Sequence, residues 1–508
     1  MTTARQPLTK ILATLGPSTD DPKVLTKLVE HGAGLFRLNF SHGTIEDHAK
    51  RLAGVREVSR IMGRNLAVLG DLPGPKIRIT KVPPADNGIG IHLEPGQDVL
   101  VRGGLAECIP GVLPVLGCNY AKIATEVDPG QRVLINDGAV RMLAVVSDGE
   151  QILCRVTTGG LITSGKGLNL PDSDLTIPAT TDKDLLLAQW AVEHDVDFLA
   201  LSFVRKADEV RSINERLHRA CELHPSAAAR DLADRAASTP IIAKIETPQA
   251  VKNIEAILNE ADGIMVARGD LGVEMEIAKV PAIQKLLVRK AHDFGKPCIV
   301  ATQMLESMIE NANPTRAEVS DVANAIYDGA DAVMLSGETA VGKHPMLAVE
   351  IMRRVASETE EVLREERTEP RPPERLRAAR ERMPALAHGA WHMARDVGAV
   401  LAVVWSQDGQ AARYLSRNGF QMPIIAFTSS PAAARRMALY YAVQPVLMQQ
   451  VPEHRSDFAR MADWYIVENK MASRGEPIVL LGGKPFDDPG ATNTAAIRFV
   501  GEMAAARE

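Results

Sequence analysis

Eight short apolar runs recur along the chain with one grammar: β-prone residues first, then small or polar residues at the C-terminal end. They are TKILATLG (9–16), LFRLNF (35–40), NLAVLGD (65–71), FLALSFV (198–204), IIAKIE (241–246), GIMVARGD (263–270), PCIVATQ (297–303) and AVMLSGE (332–338). Most are separated by amphipathic stretches of helical period, such as DPKVLTKLVEHGA and PAIQKLLVRKAHDFG. Strands alternating with helices pair in parallel through right-handed crossovers. Eight such units predict a (β/α)8 barrel rather than an open doubly wound sheet. A polar group stands at nearly every strand end, where the barrel keeps its chemistry.

Between Asp71 and Phe198 the pattern changes. GQDVLVRG, QRVLIND and MLAVVSDGEQILCRV carry strand alternation, and Asp148-Gly149 is a hairpin turn signal. Helical period returns only near residue 182. The expected layout is a barrel over 1–72 and 172–365 with a small β-barrel inserted at 73–171. An insertion at the rim of an active site can act as a lid. The charged, proline-bearing 366–382 reads as a linker leading into a helix. LAVVW, PIIAF, VQPVLM, PIVLLG and AIRFV then predict an open α/β domain over 383–508.

Composition narrows the function. The 508 residues are 45% hydrophobic and 24% charged with net charge −6, which offers no broad basic field for nucleic acid. The start, MTTARQPLTK, has no signal-type apolar core, and no apolar run reaches the roughly 18 residues of a membrane span. Five scattered cysteines without a CxxC fit reduced thiols. A cytoplasmic protein with no membrane partner is expected.

The candidate chemistry lies at the strand ends. In AKIET, Lys244 and Glu246 point to the same side, and VARGD ends the next strand in Asp270. Two carboxylates on neighbouring strand ends suit Mg²⁺ that keeps waters and takes substrate oxygens; a salt bridge from Lys244 to one of them fits these residues equally well. In FRLNFSHG, Arg37, Asn39 and Ser41 share one face. An arginine at a barrel mouth is costly unless it meets an anion, and its planar fork suits phosphate. Thr302 and Ser336 add hydroxyls, and Lys166 sits in GKGLNLP at the end of the insertion. The set reads as electrostatics for phosphoryl transfer. No GxxxxGK[ST] loop is present.

In order, FRLNFSHG, GPKIRI, KGLNLP, SFVRKADEV, AKIET, MVARGDLGVE, ATQMLESM and MLSGETA resemble the pyruvate kinase family, and ARYLSRNGFQMPIIAFT and PGATNTAAIRFV resemble its last domain. The resemblance implies a barrel, a mobile lid, an α/β regulatory domain and a homotetramer. It implies phosphoryl transfer from phosphoenolpyruvate to ADP, giving pyruvate and ATP. Carried over, Glu246 and Asp270 hold Mg²⁺ (or Mn²⁺), Lys244 neutralises the moving phosphoryl group, and Arg37 clamps the phosphate. Backbone near Gly269 and Asp270, with Thr302, receives the substrate carboxylate. Asn39, Ser41, His42, Arg78 and Lys166 line the nucleotide side, and Ser336 with Thr302 orders the protonating water. A Mg²⁺-dependent pyruvate-enolate aldolase or lyase would use the same barrel residues but not the lid cations. An inactive regulatory homologue is a third reading, against which every carried-over position holds a competent residue.

Two departures from the family pattern carry expectations. K⁺-requiring members hold K⁺ among an Asn, a Ser, an Asp and a Thr, with a glutamate nearby. Here Asn39, Ser41 and Asp71 are present, Leu72 stands for the threonine, and Lys76 for the glutamate. The chain thus resembles the lysine-containing, K⁺-independent group, with Lys76 beside Asp71 replacing the cation. In the last domain the effector loop reads Ser406, Gln407, Asp408, Gly409, Gln410 and Ala411. Asp408 would repel a phosphate and Ala411 offers no hydroxyl, so weak or no fructose 1,6-bisphosphate activation is expected.

Overall fold

The computed structural model describes residues 6–84, 90–223, 229–365 and 373–502. Eight parallel strands close into a barrel: β1 (Lys10–Thr14), β2 (Leu35–Asn39), β3 (Ala67–Asp71), β4 (Phe198–Leu201), β5 (Ile241–Ile245), β6 (Gly263–Ala267), β7 (Cys298–Ala301) and β8 (Ala332–Leu335). Side-chain alternation sorts each strand between two cores. Leu12, Leu35, Leu69, Phe198, Ile242, Met265, Ile299 and Met334 fill the barrel interior. Phe36, Leu38, Val68, Leu199, Val266, Val300 and Val333 face the helices. Because Leu35 points inward, Arg37 and Asn39 do as well, one pleat apart, toward the C-terminal mouth.

Several strands stop short of the apolar runs read from the sequence, two of them at the site. GIMVARGD does not stay extended to Asp270: β6 stops at Ala267 and Arg268–Glu274 is a helix, so Asp270 lies in a helical first turn. The Arg268 guanidinium causes the turn, because it is buried and donates to the Thr302 carbonyl at 2.8 Å and to Asp321 at 2.7 Å. PCIVATQ likewise leaves the strand at Ala301, and Thr302 and Gln303 take φ of 67° and 55°.

The insertion forms a lid. Ile91–Leu93 pairs with Gly160–Ile162, and a six-stranded sheet runs Leu168–Asn169, Arg132–Ile135, Val140–Ser147, Gln151–Thr158, Asp98–Gly103, Val115–Cys118. Its own core includes Ile77, Ile79, Val101, Leu116, Val133, Val156 and Leu170. The Asp148 hairpin is closed by the carboxylate accepting from the amides of Glu150 and Gln151, both at 2.8 Å, with Gly149 at φ 89°.

The last domain is a five-stranded sheet in the order Val443–Leu447, Ile424–Thr428, Leu401–Trp405, Pro477–Gly483, Thr492–Phe499, parallel except for the final edge strand. It closes the N-terminal mouth of the barrel. Ala438 and Leu439 pack into the barrel's interior core. Lys10 Nζ donates to the Val443 carbonyl at 2.7 Å, and buried Arg417 pairs with Asp331 at 2.7 Å. The helix Pro345–Glu365 leads out of the barrel. Of the expected linker, 366–372 lies outside the described residues, and Glu374–Ala378 is a short helix. Among the described residues no helix is long and apolar enough to cross a membrane.

Candidate active site

The strand ends gather two cations and two carboxylates into one buried network. Arg37 donates through Nε to Asp71 Oδ2 at 2.7 Å and through Nη1 to Thr14 Oγ1 at 3.3 Å. Its Nη2 stands 2.7 Å from the same Asp71 oxygen. Lys244 Nζ lies 3.2 Å from Asp71 Oδ1 and 2.9 Å from Glu246 Oε1, and donates to Ser202 Oγ at 2.8 Å. Glu246 Oε2 accepts the Phe203 amide at 2.7 Å. Asp71 and Glu246 are almost wholly buried, at 2% and 1% exposure, while the cations keep 12% each. The buried charges are therefore held and compensated, and the cationic heads keep a share of surface at the mouth.

Burial by itself would drive the Lys244 proton off, but the Asp71 and Glu246 charges outweigh it and hold the ammonium well above its ordinary range. For Asp71 burial pushes the carboxyl up, and Lys244 and Arg37 together bring it below the usual carboxylate value. Glu246 sits above that value, because burial, with Asp270 adding to it, outweighs Lys244.

Asp270 is half-buried on the helix beside this network, and no ion pair or side-chain hydrogen bond engages it among the described residues. One helical turn on, buried Glu274 accepts from lid residue Asn169 Nδ2 at 2.6 Å. Burial pushes its carboxyl up to about 7, with Asp270 and Glu246 adding in the same direction. Carboxylates crowded around one cleft are a donor set suited to a cation. Among the described residues no three His, Cys, Asp or Glu side chains are arranged to hold a metal by themselves. The residues thus fit a hard cation that takes water and substrate oxygens as its other ligands.

Thr302 Oγ1 accepts the Gly269 amide at 2.8 Å and donates to the Ala301 carbonyl at 2.7 Å. The Gly269 amide expected to face a substrate carboxylate is therefore engaged by Thr302 in this state. Ser336 Oγ is buried without a partner among the described residues, and its amide is held by Glu338 at 2.6 Å. On the lid, Arg78 Nη1 donates to the Gly165 carbonyl at 2.8 Å, and Ile79 donates to the Lys166 carbonyl, so the GKG loop and GPKIRI are pinned together. Asn39 Oδ1 accepts the Ser41 amide at 3.2 Å, and Ser41 and His42 are exposed. Among the described residues no hydrogen bond or ion pair joins this strand end to Arg78 or Lys166.

The structure places Lys76 apart from Asp71: both Asp71 oxygens are taken by Arg37 and Lys244, and Lys76 is exposed, without an ion pair among the described residues. The physical reason is the turn at Gly74 (φ 68°), after which the chain leaves the barrel and enters the lid. Lys76 instead lines the cleft between lid and barrel, with Asp137, Asn169, Arg205, Asp270 and Glu274. Leu72 is buried in the helix-facing core, and its carbonyl accepts from Ser202 Oγ at 2.7 Å.

Several residues of the network escaped the sequence reading. Thr14 and Ser202 stand at polar strand ends, a signal that was available. Asp71 answers Arg37 and Lys244, a partnership that its place beside Lys76 in the sequence does not signal. Glu274 falls at i+4 from Asp270, which becomes a signal only once GDLGVE is known to be helical.

In the last domain, Asp408 Oδ1 accepts the Gln410 amide at 2.9 Å, Ser406 Oγ accepts the Ala412 amide at 3.2 Å, and Gly409 takes φ 87°. A cleft beside them is lined by Trp405, Asp408, Ala411, Tyr414 and Asp488, and at its edge Arg382 Nη2 donates to the Gly490 carbonyl at 2.6 Å.

Two family models match the chain: the pyruvate kinase barrel domain over residues 6–349 and the pyruvate kinase alpha/beta domain over 384–498. The chain is 36% identical over 493 residues to a pyruvate kinase of Mycobacterium tuberculosis, covering 97% of this chain and 98% of that protein. It is 37% identical over 499 residues to one of Methylorubrum extorquens, covering 97% of each. A crystal structure of a pyruvate kinase from Cryptosporidium parvum superposes with a TM-score of 0.85 at 32% identity, covering 98% of this chain and 97% of that one.

Proposed function

This chain belongs to the pyruvate kinase family, and from that premise we propose how its residues transfer the phosphoryl group of phosphoenolpyruvate to ADP, giving pyruvate and ATP. The observation that carries the reading is the Arg37–Asp71–Lys244–Glu246 network at the barrel mouth. Phosphoryl transfer asks for preorganised positive charge around spread negative charge, not for a covalent partner. Arg37 and Lys244 are fixed in place by carboxylates that are themselves buried, so little reorganisation is needed when a phosphate arrives.

Arg37 receives the phosphate of phosphoenolpyruvate. Lys244 faces the transferring group and the enolate oxygen that the leaving step creates. Glu246 and Asp270 hold Mg²⁺ (or Mn²⁺), which supplies, when bound, positive charge to the substrate and phosphoryl oxygens. The substrate carboxylate is received by backbone at Gly269 and Asp270 with Thr302, whose hydroxyl must rotate to free the Gly269 amide. Ser336 Oγ, buried without a partner among the described residues, supports ordering of the water that protonates the enolate carbon. Asn39, Ser41, His42, Arg78 and Lys166 take the nucleotide side, which requires lid and barrel to approach.

Three further readings rest on single residues. K⁺ is not required: Leu72 cannot ligate it, Asp71 is already matched by two cations, and Lys76 brings its own ammonium to the cleft. Fructose 1,6-bisphosphate is a poor activator, because Asp408 and Asp488 line the effector cleft and Ala411 offers no hydroxyl, while the Arg382 guanidinium is engaged by the Gly490 carbonyl at its edge. A cytoplasmic homotetramer is carried by family likeness.

The test is a coupled assay of ADP phosphorylation with phosphoenolpyruvate and Mg²⁺. Turnover that needs all three supports the reading. Cleavage or condensation of pyruvate without ADP would favour the aldolase alternative, and inertness of a folded, metal-loaded protein the regulatory one.

A further inference from the structure

We propose that Glu274 is a positioning residue that fastens the lid to the short helix carrying Asp270, so that lid placement and the geometry of the metal-holding carboxylate are set together. The proposal rests on the reading of Asp270 given above. The Arg268–Glu274 helix meets the lid at three points on its last turn. Asn169 Nδ2, on the lid strand Leu168–Asn169, donates to Glu274 Oε1 at 2.6 Å. Arg132 Nη2 donates to the Glu274 carbonyl at 3.4 Å, and the same guanidinium is held at 2.9 and 2.7 Å by Asp172. Val273 packs where the lid turn at Gly138 passes, with 3.7 Å to the position of a Cβ there.

The first turn of that helix belongs to the barrel. Arg268 is anchored by Asp321 and the Thr302 carbonyl, and Gly269 by Thr302 Oγ1. Asp270 is thus placed between barrel anchors at Arg268 and Gly269 and a lid anchor at Glu274, within a single short helix. A rigid turn of helix transmits a shift at one end to the other, and a displacement of about 1 Å at a reacting centre can cost about 100-fold in rate. Glu274 is itself buried, so its carboxylate has few partners other than Asn169.

The experiment compares Glu274→Ala, Asn169→Ala, the double variant and Glu274→Gln in the full-length protein. It reads hydrogen–deuterium exchange of residues 168–173 and 268–274 without substrate, and kcat and KM with it. Circular dichroism identifies any variant that fails to fold, and half-buried Asn169 on the lid keeps the test available if Glu274→Ala does. Expected are about tenfold faster exchange in both segments for the two alanine variants, and kcat lower by about 10- to 100-fold with KM for phosphoenolpyruvate within about threefold. The double variant should be no worse than either single, as two halves of one contact require. Glu274→Gln, whose amide oxygen can still accept from Asn169, should keep wild-type exchange. Unchanged exchange and kcat in Asn169→Ala, or full additivity in the double variant, would overturn the proposal. Wild-type inactivity would sink the functional reading alone, because the exchange arm needs no turnover.

Discussion

Lys244 on β5 and Asp71 at the end of β3 meet at 3.2 Å across the mouth of the barrel, with β4 between their strands. The pair decides the protonation of both. Neither group, buried alone, would keep its charge; together they hold an ammonium and a carboxylate in a place where water is scarce.

Lys244→Met should therefore remove transition-state charge rather than binding. We expect kcat to fall by roughly three orders of magnitude or more, with Mg²⁺-dependent binding of phosphoenolpyruvate retained. Steady-state kinetics with a direct binding measurement separates the two, and near-normal turnover would contradict the assignment.

Asp71→Asn leaves Arg37 and Lys244 facing each other with half their counter-charge gone. Removing one partner of a buried ionic network costs about 3–5 kcal/mol, less whatever the amide oxygen still accepts. Urea unfolding should show the barrel transition moving to lower denaturant, together with a large loss of kcat. A variant as stable and active as the wild type would deny Asp71 its role.

The enzyme should turn over fully in K⁺-free buffer held at constant ionic strength with a bulky organic cation. Lys76→Glu should lose most activity there and regain part of it on addition of K⁺, with Leu72→Thr alongside for full recovery. Because Lys76 faces the cleft rather than Asp71, its effect should be greatest with nucleotide present. A wild-type enzyme that is nearly inactive until K⁺ arrives would refute K⁺ independence.

The pH dependence of stability carries the mark of Glu274. Its carboxyl is raised from 4.5 to about 7 by burial, with Asp270 and Glu246 adding and Asn169 and Arg132 opposing. A raised acid favours the protonated folded state, so the stability it contributes is complete below about pH 4.5 and lost as pH climbs through 7. The displacement corresponds to roughly 3 kcal/mol. In metal-free protein, Glu274→Gln should thus melt near the wild type at pH 5 and above it at pH 8. Equal melting temperatures at both would show that Glu274 titrates normally.

Titration with fructose 1,6-bisphosphate should leave the apparent KM for phosphoenolpyruvate within about twofold, since a bisphosphate meets the carboxylates of Asp408 and Asp488 at the cleft. A large drop at micromolar ligand would overturn this, and Asp408→Ser is the variant in which such a response could emerge.

Much of this architecture follows from alternation alone. Leu35, Arg37 and Asn39 share a face because a strand has period two, and eight such strands with helices between them leave little choice but a closed parallel sheet. The inserted lid is legible for the same reason, since its stretches lose helical period and carry turn signals such as Asp148-Gly149. Residue chemistry at the strand ends likewise picks out Arg37, Lys244, Glu246 and Asp270.

What the chain by itself could not settle is which charge answers which. Lys76 and Asp71 are five positions apart, and Lys244 and Asp71 are separated by the whole lid. Nearness in sequence favours the first pair, yet the barrel's closure and the turn at Gly74 give Asp71 to Lys244 and send Lys76 to the cleft. Pairing across strands depends on register and on where each strand stops, and these are fixed only when all eight strands close together. The same holds for Glu274. Its place one turn beyond Asp270 exists only because β6 ends at Ala267, and that end is set by the Arg268 guanidinium finding carbonyls on the neighbouring β7 loop.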